Sequence, residues 1–354
     1  MSRFLRPRKI AHVYLALAML FGIAAQCQDD TDSTKPVPIL TGSTAFFTRV
    51  NGGQASDAPS VTPVLLAPFG DKWLVEVKGN YTDTFSKGGD GSYGNTSSYG
   101  LVYAQVDYIA SRYVTVTGGR FITPFGIYGE RLAPNWIKAL QVTPVAFSIT
   151  SSSALGGMLR GGFPVGSQEV NLNYAFYFSS NNTNHIVATN RSTGGRVGFF
   201  LPGPRLEIGA SFQQLLQGGR SHAFGLHAEW QPNRLPLTLR SEYAHSSGMN
   251  GSGYWIESVY RLSKVPYLRR LELAGRGQQF FADPKLTDAQ SDALGALGYS
   301  SRQGDVGLNY YLGRDVRASA SYGRQFSEEN TANIWVVGIS YRFIMPLGFK
   351  GGAL

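Results

Sequence analysis

The sequence predicts an all-β fold: a transmembrane antiparallel β-barrel of about sixteen strands, with short turns at one end and long loops at the other. Three observations predict it. Apolar and polar residues alternate at period two in segment after segment, which places one row on each face of a strand. Beyond the N-terminal thirty residues no run of eighteen apolar residues occurs, so a membrane-spanning chain has only strands to cross with. The connections alternate between short and long, which a soluble β-sandwich has no reason to do.

The N-terminus is read first. Arg3, Arg6, Arg8 and Lys9 precede an apolar run from Val13 to Ala25, followed by Gln26, Cys27, Asp29 and Asp30. This order matches an export signal peptide over residues 1–27, cleaved after Cys27 or, alternatively, after Ala25. Gln26 is not the small residue that lipid attachment at Cys27 would require. Removing 1–27 takes four basic and no acidic residues, leaving +5 of the formal +9. Residues 28–42 are expected to form a periplasmic extension, 43–343 the barrel, and 344–354 a C-terminal extension.

Within the barrel segment, strands are expected near 43–50, 61–69, 72–86, 98–110, 113–121, 155–164, 169–178 and 193–200. Eight more follow near 205–214, 221–231, 236–246, 253–262, 268–281, 301–311, 315–326 and 333–343. Leu206, Ile208, Ala210 and Phe212 alternate with Glu207, Gly209, Ser211 and Gln213, and comparable rows recur through Val316 to Gly323. The even-numbered gaps are short, as at Gly70-Asp71, Pro202-Gly203-Pro204 and Gly313-Arg314. Most of the odd ones, including 87–97, 122–154, 179–192 and 282–300, are longer and rich in Ser, Asn, Gly and Asp. That parity puts both ends of the barrel on the periplasmic side and lets the last strand close on the first; fourteen or eighteen strands would satisfy the same logic. The final strand carries Trp335, Val337, Ile339, Tyr341 and Phe343 on one row, with aromatic residues at its ends as in an interfacial girdle.

The opposite rows carry charge. Glu76, Lys78, Asp107, Glu207, His227, Glu229, Arg240, Glu242, Glu272, Arg276 and Arg317 are expected to face the lumen. Charges of both signs fit a hydrated interior better than a dry ligand cavity. Several other functions are excluded by what the chain lacks. With Cys27 as its only cysteine, the mature chain can form no internal disulfide and no thiolate metal site. The histidines show no close ligand spacing, so neither metal nor cofactor is expected. Gly88-Gly89-Asp90-Gly91 lacks the Lys-Ser/Thr of a phosphate loop, and no basic cluster points to nucleic acid.

The stretch Gly119-Arg120-Phe121-Ile122-Thr123-Pro124-Phe125-Gly126 resembles the G-R-F-x-T-P-F-G strand-to-loop segment of porins of the phosphate-selective type. The resemblance covers that segment through Leu132, with Asn333–Phe343 similar to outer-membrane strands in general. It implies a sixteen-stranded passive diffusion pore, commonly trimeric, whose third extracellular loop folds inward. Here that loop is 122–154, in which Pro134-Asn135-Trp136-Ile137-Lys138-Ala139-Leu140 is expected to form a short helix with Pro134 in its first turn. Arg120, Glu130, Arg131, Lys138 and Arg160 are the candidate constriction residues. They form only a loose set, so phosphate specificity does not carry over. Arg120 would share the row of Val114 and Val116 unless a bulge at Gly118-Gly119 shifts the register. At the C-terminus the family's strands end on an aromatic residue, whereas here Ile344–Leu354 continue past Phe343.

The expected function is therefore passive diffusion of small hydrophilic or ionic solutes, without enzymatic activity. Expected partners are outer-membrane lipid, the outer-membrane assembly machinery and further copies in a homotrimer. Two alternatives stand beside this reading. One is a lipid hydrolase built on His245 and Ser247, which share a strand face at the extracellular end. The other is a sheath or adhesin with no open pore.

Overall fold

The computed structural model describes residues 37–88, 91–145, 153–166, 170–184, 188–217, 221–247, 251–283, 299–327 and 331–348. The signal segment 1–27, His185 and residues 349–354 lie outside them. Sixteen strands form one closed antiparallel barrel in which each pairs with its neighbours in sequence and β1 closes on β16. The first eight are β1 (Ile39–Asn51), β2 (Gln54–Phe69), β3 (Trp73–Lys87), β4 (Tyr93–Ser111), β5 (Val114–Ile122), β6 (Ser153–Val165), β7 (Val170–Ser179) and β8 (Ser192–Leu201). The remainder are β9 (Leu206–Leu215), β10 (Ser221–Trp230), β11 (Leu237–Ser247), β12 (Ser252–Arg261), β13 (Leu271–Phe281), β14 (Ser301–Tyr311), β15 (Val316–Ser327) and β16 (Thr331–Pro346). Closure matters energetically, because an unpaired backbone N–H or C=O in hydrocarbon costs several kcal/mol and a barrel leaves no edge.

The strand ends differ from expectation at the closing seam and at the starts of β2 and β4, the last beginning at Tyr93 instead of 98. β1 begins at Ile39, four residues before the expected 43, and β16 runs to Pro346, past Phe343. The two added stretches pair with each other, Ile39 opposite Pro346 and Leu40 opposite Met345. Phe343 lies over Gly42, where a Cβ would stand 2.9 Å from the ring and 2.2 Å from the Thr62 carbonyl oxygen, so only glycine admits the ring. β2 begins at Gln54 instead of 61. Pro59 and Pro63 argue against a strand there, yet the ladder to β1 passes through both, while on the β3 side it is interrupted at Ala58–Pro59 and Thr62–Pro63. The β1–β2 connection is only Gly52-Gly53, both left-handed at φ 57 and 88, as a two-residue hairpin turn requires.

Burial in this fold is inverted relative to a water-soluble protein. Large apolar side chains on the outward rows stay exposed, among them Phe176 at 52%, Ile256 at 56% and Val306 at 60%. Charged side chains on the inward rows are buried, among them Asp107 at 2%, Asp305 at 3% and Arg317 at 1%. Such a molecule needs an apolar solvent outside and counter-charges inside.

Candidate functional site

The long connection between β5 and β6 does not stay above the barrel. Its described part, 123–145, runs into the lumen and lies against the inner wall, fixed at both ends by side chains of the strands. At the entry, Gly126 donates its N–H to Ser211 Oγ at 3.0 Å and accepts from Arg196 Nη1 at 2.8 Å. Ile127 and Tyr128 donate their N–H groups to one oxygen of the buried Glu242 carboxylate, at 3.0 and 3.2 Å. Gly126 is left-handed at φ 63, and a Cβ there would stand 2.0 Å from Glu242 Oε1, so the approach of loop to carboxylate requires glycine. Tyr128 then packs edge-on against the inward-facing Trp255, with ring centroids 6.0 Å apart.

Farther along, the wall takes carbonyl oxygens. Arg317 donates to the Asn135 and Trp136 carbonyls at 2.6 and 2.9 Å. Asn309 donates to that of Ala139 at 2.9 Å and Arg276 to that of Val142 at 2.6 Å. Gln278 accepts the Val145 N–H at 2.8 Å, and Val142 packs with Ile334, Val336 and Phe47. These bonds explain why the short helix expected over 134–140 is absent. Its carbonyls are held by β14 and β15, leaving a single turn in which Lys138 N–H reaches the Pro134 oxygen at 3.1 Å. The helical element of the segment is instead one π-helical turn, Tyr128–Leu132.

All eleven strand charges singled out in the sequence lie on inward rows, and most are bonded into three groups. In one, Asp107 accepts from Arg160 at 3.3 Å, Arg160 lies 3.8 Å from Glu130, and Glu130 is 2.7 Å from Arg196. In the second, Arg131 meets Glu207 at 2.8 Å, with His227 on its other oxygen at 3.6 Å. The third runs from Glu229 through Arg240 and Glu257 to Arg276 and Asp305, with contacts of 3.2 to 3.8 Å. Glu272 is held by Asn309 at 3.0 Å and Tyr311 at 3.3 Å, and Glu76 by Gln105 at 3.5 Å.

Lys78 and Lys138 stand apart. Among the described residues neither has a carboxylate or hydrogen-bond partner; Lys78, 8% exposed, has only the Tyr103 ring at 6.0 Å. Burial, reinforced by the like charges of Lys78 and Arg276, pushes the Lys138 ammonium down to about 8. The inserted segment thus presents a cation toward another cation on the wall.

Arg120 corrects the candidate set. The β4–β5 ladder runs without a shift through Gly118 and Gly119, so Arg120 remains on the outward row of Val114 and Val116. Its guanidinium reaches the Val102 oxygen at 3.4 Å and Ser153 Oγ at 3.1 Å, outside the lumen. Gly119 marks a close approach and not a bulge, since a Cβ there would stand 2.4 Å from the Ala104 oxygen. Sequence reasoning missed Arg196, Glu257 and Asp305. Asp305 was readable, because Gln303, Asp305 and Asn309 alternate with Val306, Leu308 and Tyr310. Arg196 is hidden in a glycine-rich strand, and Glu257 in a row that also holds Trp255 and Val259.

On the outer face, His245 Nδ1 lies 2.7 Å from Ser252 Oγ across the β11–β12 pair. Ser247 stands opposite His222 instead. Among the described residues no carboxylate or amide holds the His245 Nε2, and no group of metal-ligating residues occurs.

No protein-family model matches the chain, and no curated protein matches it by sequence. Its fold does match solved outer-membrane barrels. Salmonella typhi OmpF, solved with daunomycin, superposes with a TM-score of 0.60 at 14% identity, covering 86% of this chain and 97% of that one. Pseudomonas putida OprB gives 0.57 at 8% identity over 87% and 93% of the two chains. An anion-selective porin from Comamonas acidovorans gives 0.54 at 10% identity over 87% and 99%. At these identities the likeness is one of fold: this chain is a closed sixteen-stranded antiparallel barrel, the fold that these outer-membrane proteins share.

Proposed function

We propose that the chain is a passive diffusion channel of the outer membrane for small hydrophilic solutes, favouring anions where Lys138 faces Lys78. The observation that carries this reading is the inserted segment 123–145, tied to the inner wall near both ends so that it takes up part of the lumen. A channel needs only width and lining charge, because its task is to lower the cost of taking polar solutes through hydrocarbon. Most lining charges neutralise one another in pairs, so the field at the narrow part is set by those that do not. Of these, Lys138 has the cations Lys78 and Arg276 as its charged neighbours among the described residues. Glu130, Arg131 and Arg160 belong to the same constriction, but each is held in an ion pair and adds less to that field than Lys138 does.

The other strand charges line the path on either side, and Arg120 has no part in it. The hydrolase alternative is the weaker reading, since among the described residues no carboxylate or amide orients the His245 imidazole that faces Ser252, and catalysis needs one. Planar-bilayer recording of the purified chain tests the proposal. It predicts stepwise ion conductance and, in a salt gradient, a reversal potential of the sign for anions. A chain that inserts but does not conduct, or one that favours cations, would refute it.

A further inference from the structure

The seven short turns carry eight basic residues against three acidic ones, a surplus equal to the formal +5 of the chain beyond residue 27. The surplus is not evenly spread. Six of the eight, Arg205, Arg234, Lys264, Arg269, Arg270 and Arg314, lie on the four consecutive turns from β8–β9 to β14–β15, and all are exposed. The one acidic residue there, Asp315, is held by Arg342 at 2.9 Å.

These turns are stitched into a continuous shelf. Asn233 donates to the Gly203 oxygen at 2.8 Å, Lys264 to that of Arg234 at 2.8 Å, and Arg270 to that of Leu312 at 3.4 Å. The cations alternate with bare apolar side chains: Leu235 is 51% exposed, Leu312 51%, and Tyr267 96%. The β12–β13 turn, Leu262–Arg270, is the longest of the seven and carries Val265 and Leu268 as well. The outward row immediately above is the lipid-facing belt, which reaches the shelf through Trp230, whose Nε1 donates to the Pro204 oxygen at 3.1 Å.

We propose that this shelf holds anionic phospholipid in the periplasmic leaflet, with Arg234, Arg269 and Arg314 on headgroup phosphates and Leu235, Tyr267 and Leu268 among the glycerol and acyl region. Continuity with the lipid belt favours a bilayer occupant, and charge selects the anionic one: juxtaposed cations and apolar groups at a membrane edge bind acidic lipid by adding electrostatic attraction to burial. An acidic polymer of the periplasm would use the cations but gain nothing from the aliphatic side chains.

The test is native mass spectrometry of the full chain in detergent, titrated with phosphatidylglycerol or phosphatidylcholine of equal chain length. Arg234→Gln/Arg269→Gln/Arg314→Gln removes three cations whose side chains make none of the stitching bonds, and heat-modifiable migration on a gel reports that the barrel remains folded. The parent should retain phosphatidylglycerol at least tenfold better than phosphatidylcholine, and the triple variant should keep less than a twofold preference. Equal retention of both lipids by the parent, or undiminished preference in the folded variant, overturns the proposal. Co-sedimentation with isolated peptidoglycan in the absence of any lipid preference would also overturn it and assign the shelf to the cell wall. Lipid retention does not depend on conductance, so this outcome is independent of the channel reading.

Discussion

Gly126→Ala should unlock the inserted segment while leaving the barrel intact. Alanine at φ 63 costs about 1–2 kcal/mol in backbone strain alone. The new Cβ would lie 2.0 to 2.5 Å from all three atoms of the Glu242 carboxyl group, so either the carboxylate or the loop must withdraw. Withdrawal breaks the bonds from the Ile127 and Tyr128 N–H groups, each worth about 1.5–3 kcal/mol as a hydrogen bond to a charged group, and leaves Glu242 buried without them. The combined penalty is about 4–8 kcal/mol, enough to reverse a docking equilibrium several hundredfold or more. None of it falls on the strand ladders. The expected result is higher single-channel conductance, entry of larger sugars in liposome-swelling assays, and unchanged heat-modifiable migration. Gly118→Ala is the control, since nothing lies within 4 Å of a Cβ there. A Gly126→Ala channel with parental conductance and parental size limit would refute the claim that the Glu242 contact holds the constriction.

Two further outcomes follow from the same geometry. Lys138 titrates at about 8, so its charge is present below that pH and lost above it; anion preference should fall between pH 7 and 9.5. One unit charge acts oppositely on anion and cation by about 1 kcal/mol each at close range in water, so the permeability ratio should drop by up to about thirtyfold. Lys138→Met should flatten that pH profile in reversal-potential measurements, and a parental profile in the variant would assign the titration elsewhere. Arg317→Met strips the Asn135 and Trp136 carbonyls of their donor and removes a guanidinium 5.4 Å from the Trp136 ring, costing about 2–6 kcal/mol of docking. Chymotrypsin should then cut at Trp136 in the folded protein, and Arg317→Lys should not restore protection, because an ammonium cannot span both oxygens. Full protection in Arg317→Met would show the other anchors to suffice.

How much of this was legible depends on which face of a strand is considered. Alternation and parity placed sixteen strands, most within three residues of their ends, because the outward row meets one uniform solvent and is mostly apolar. β1 and β2 were cut short where Pro59, Pro63 and Gly42 interrupt the pattern without interrupting the β1–β2 ladder. Arg120 shows the limit of motif reading. The adjoining glycines invited a bulge that would have turned it inward, but a left-handed Gly119 under the Ala104 oxygen satisfies the same glycine requirement without changing register. The candidate helix at 134–140 failed for a reason no local rule contains, since the groups competing for its carbonyls come from Asn309 and Arg317, more than 150 residues away.

Yet the inserted segment did leave a trace in the strands that receive it. A water-filled lumen gives an inward row no reason to be apolar, so apolar residues on both rows of one strand mark where something dry covers the inner wall. Trp255 and Phe280 face inward beside the outward Ile256 and Phe281, and it is against them that Ile127, Tyr128 and Leu132 pack. Ile334 and Val336 face inward between the outward Trp335 and Val337, and they receive Val142. Each is a departure from strict alternation that reads at first as a weaker strand. Taken together they trace a contact line of the loop on the barrel wall, and the same signature should locate an inserted segment in other barrels of this fold from sequence alone.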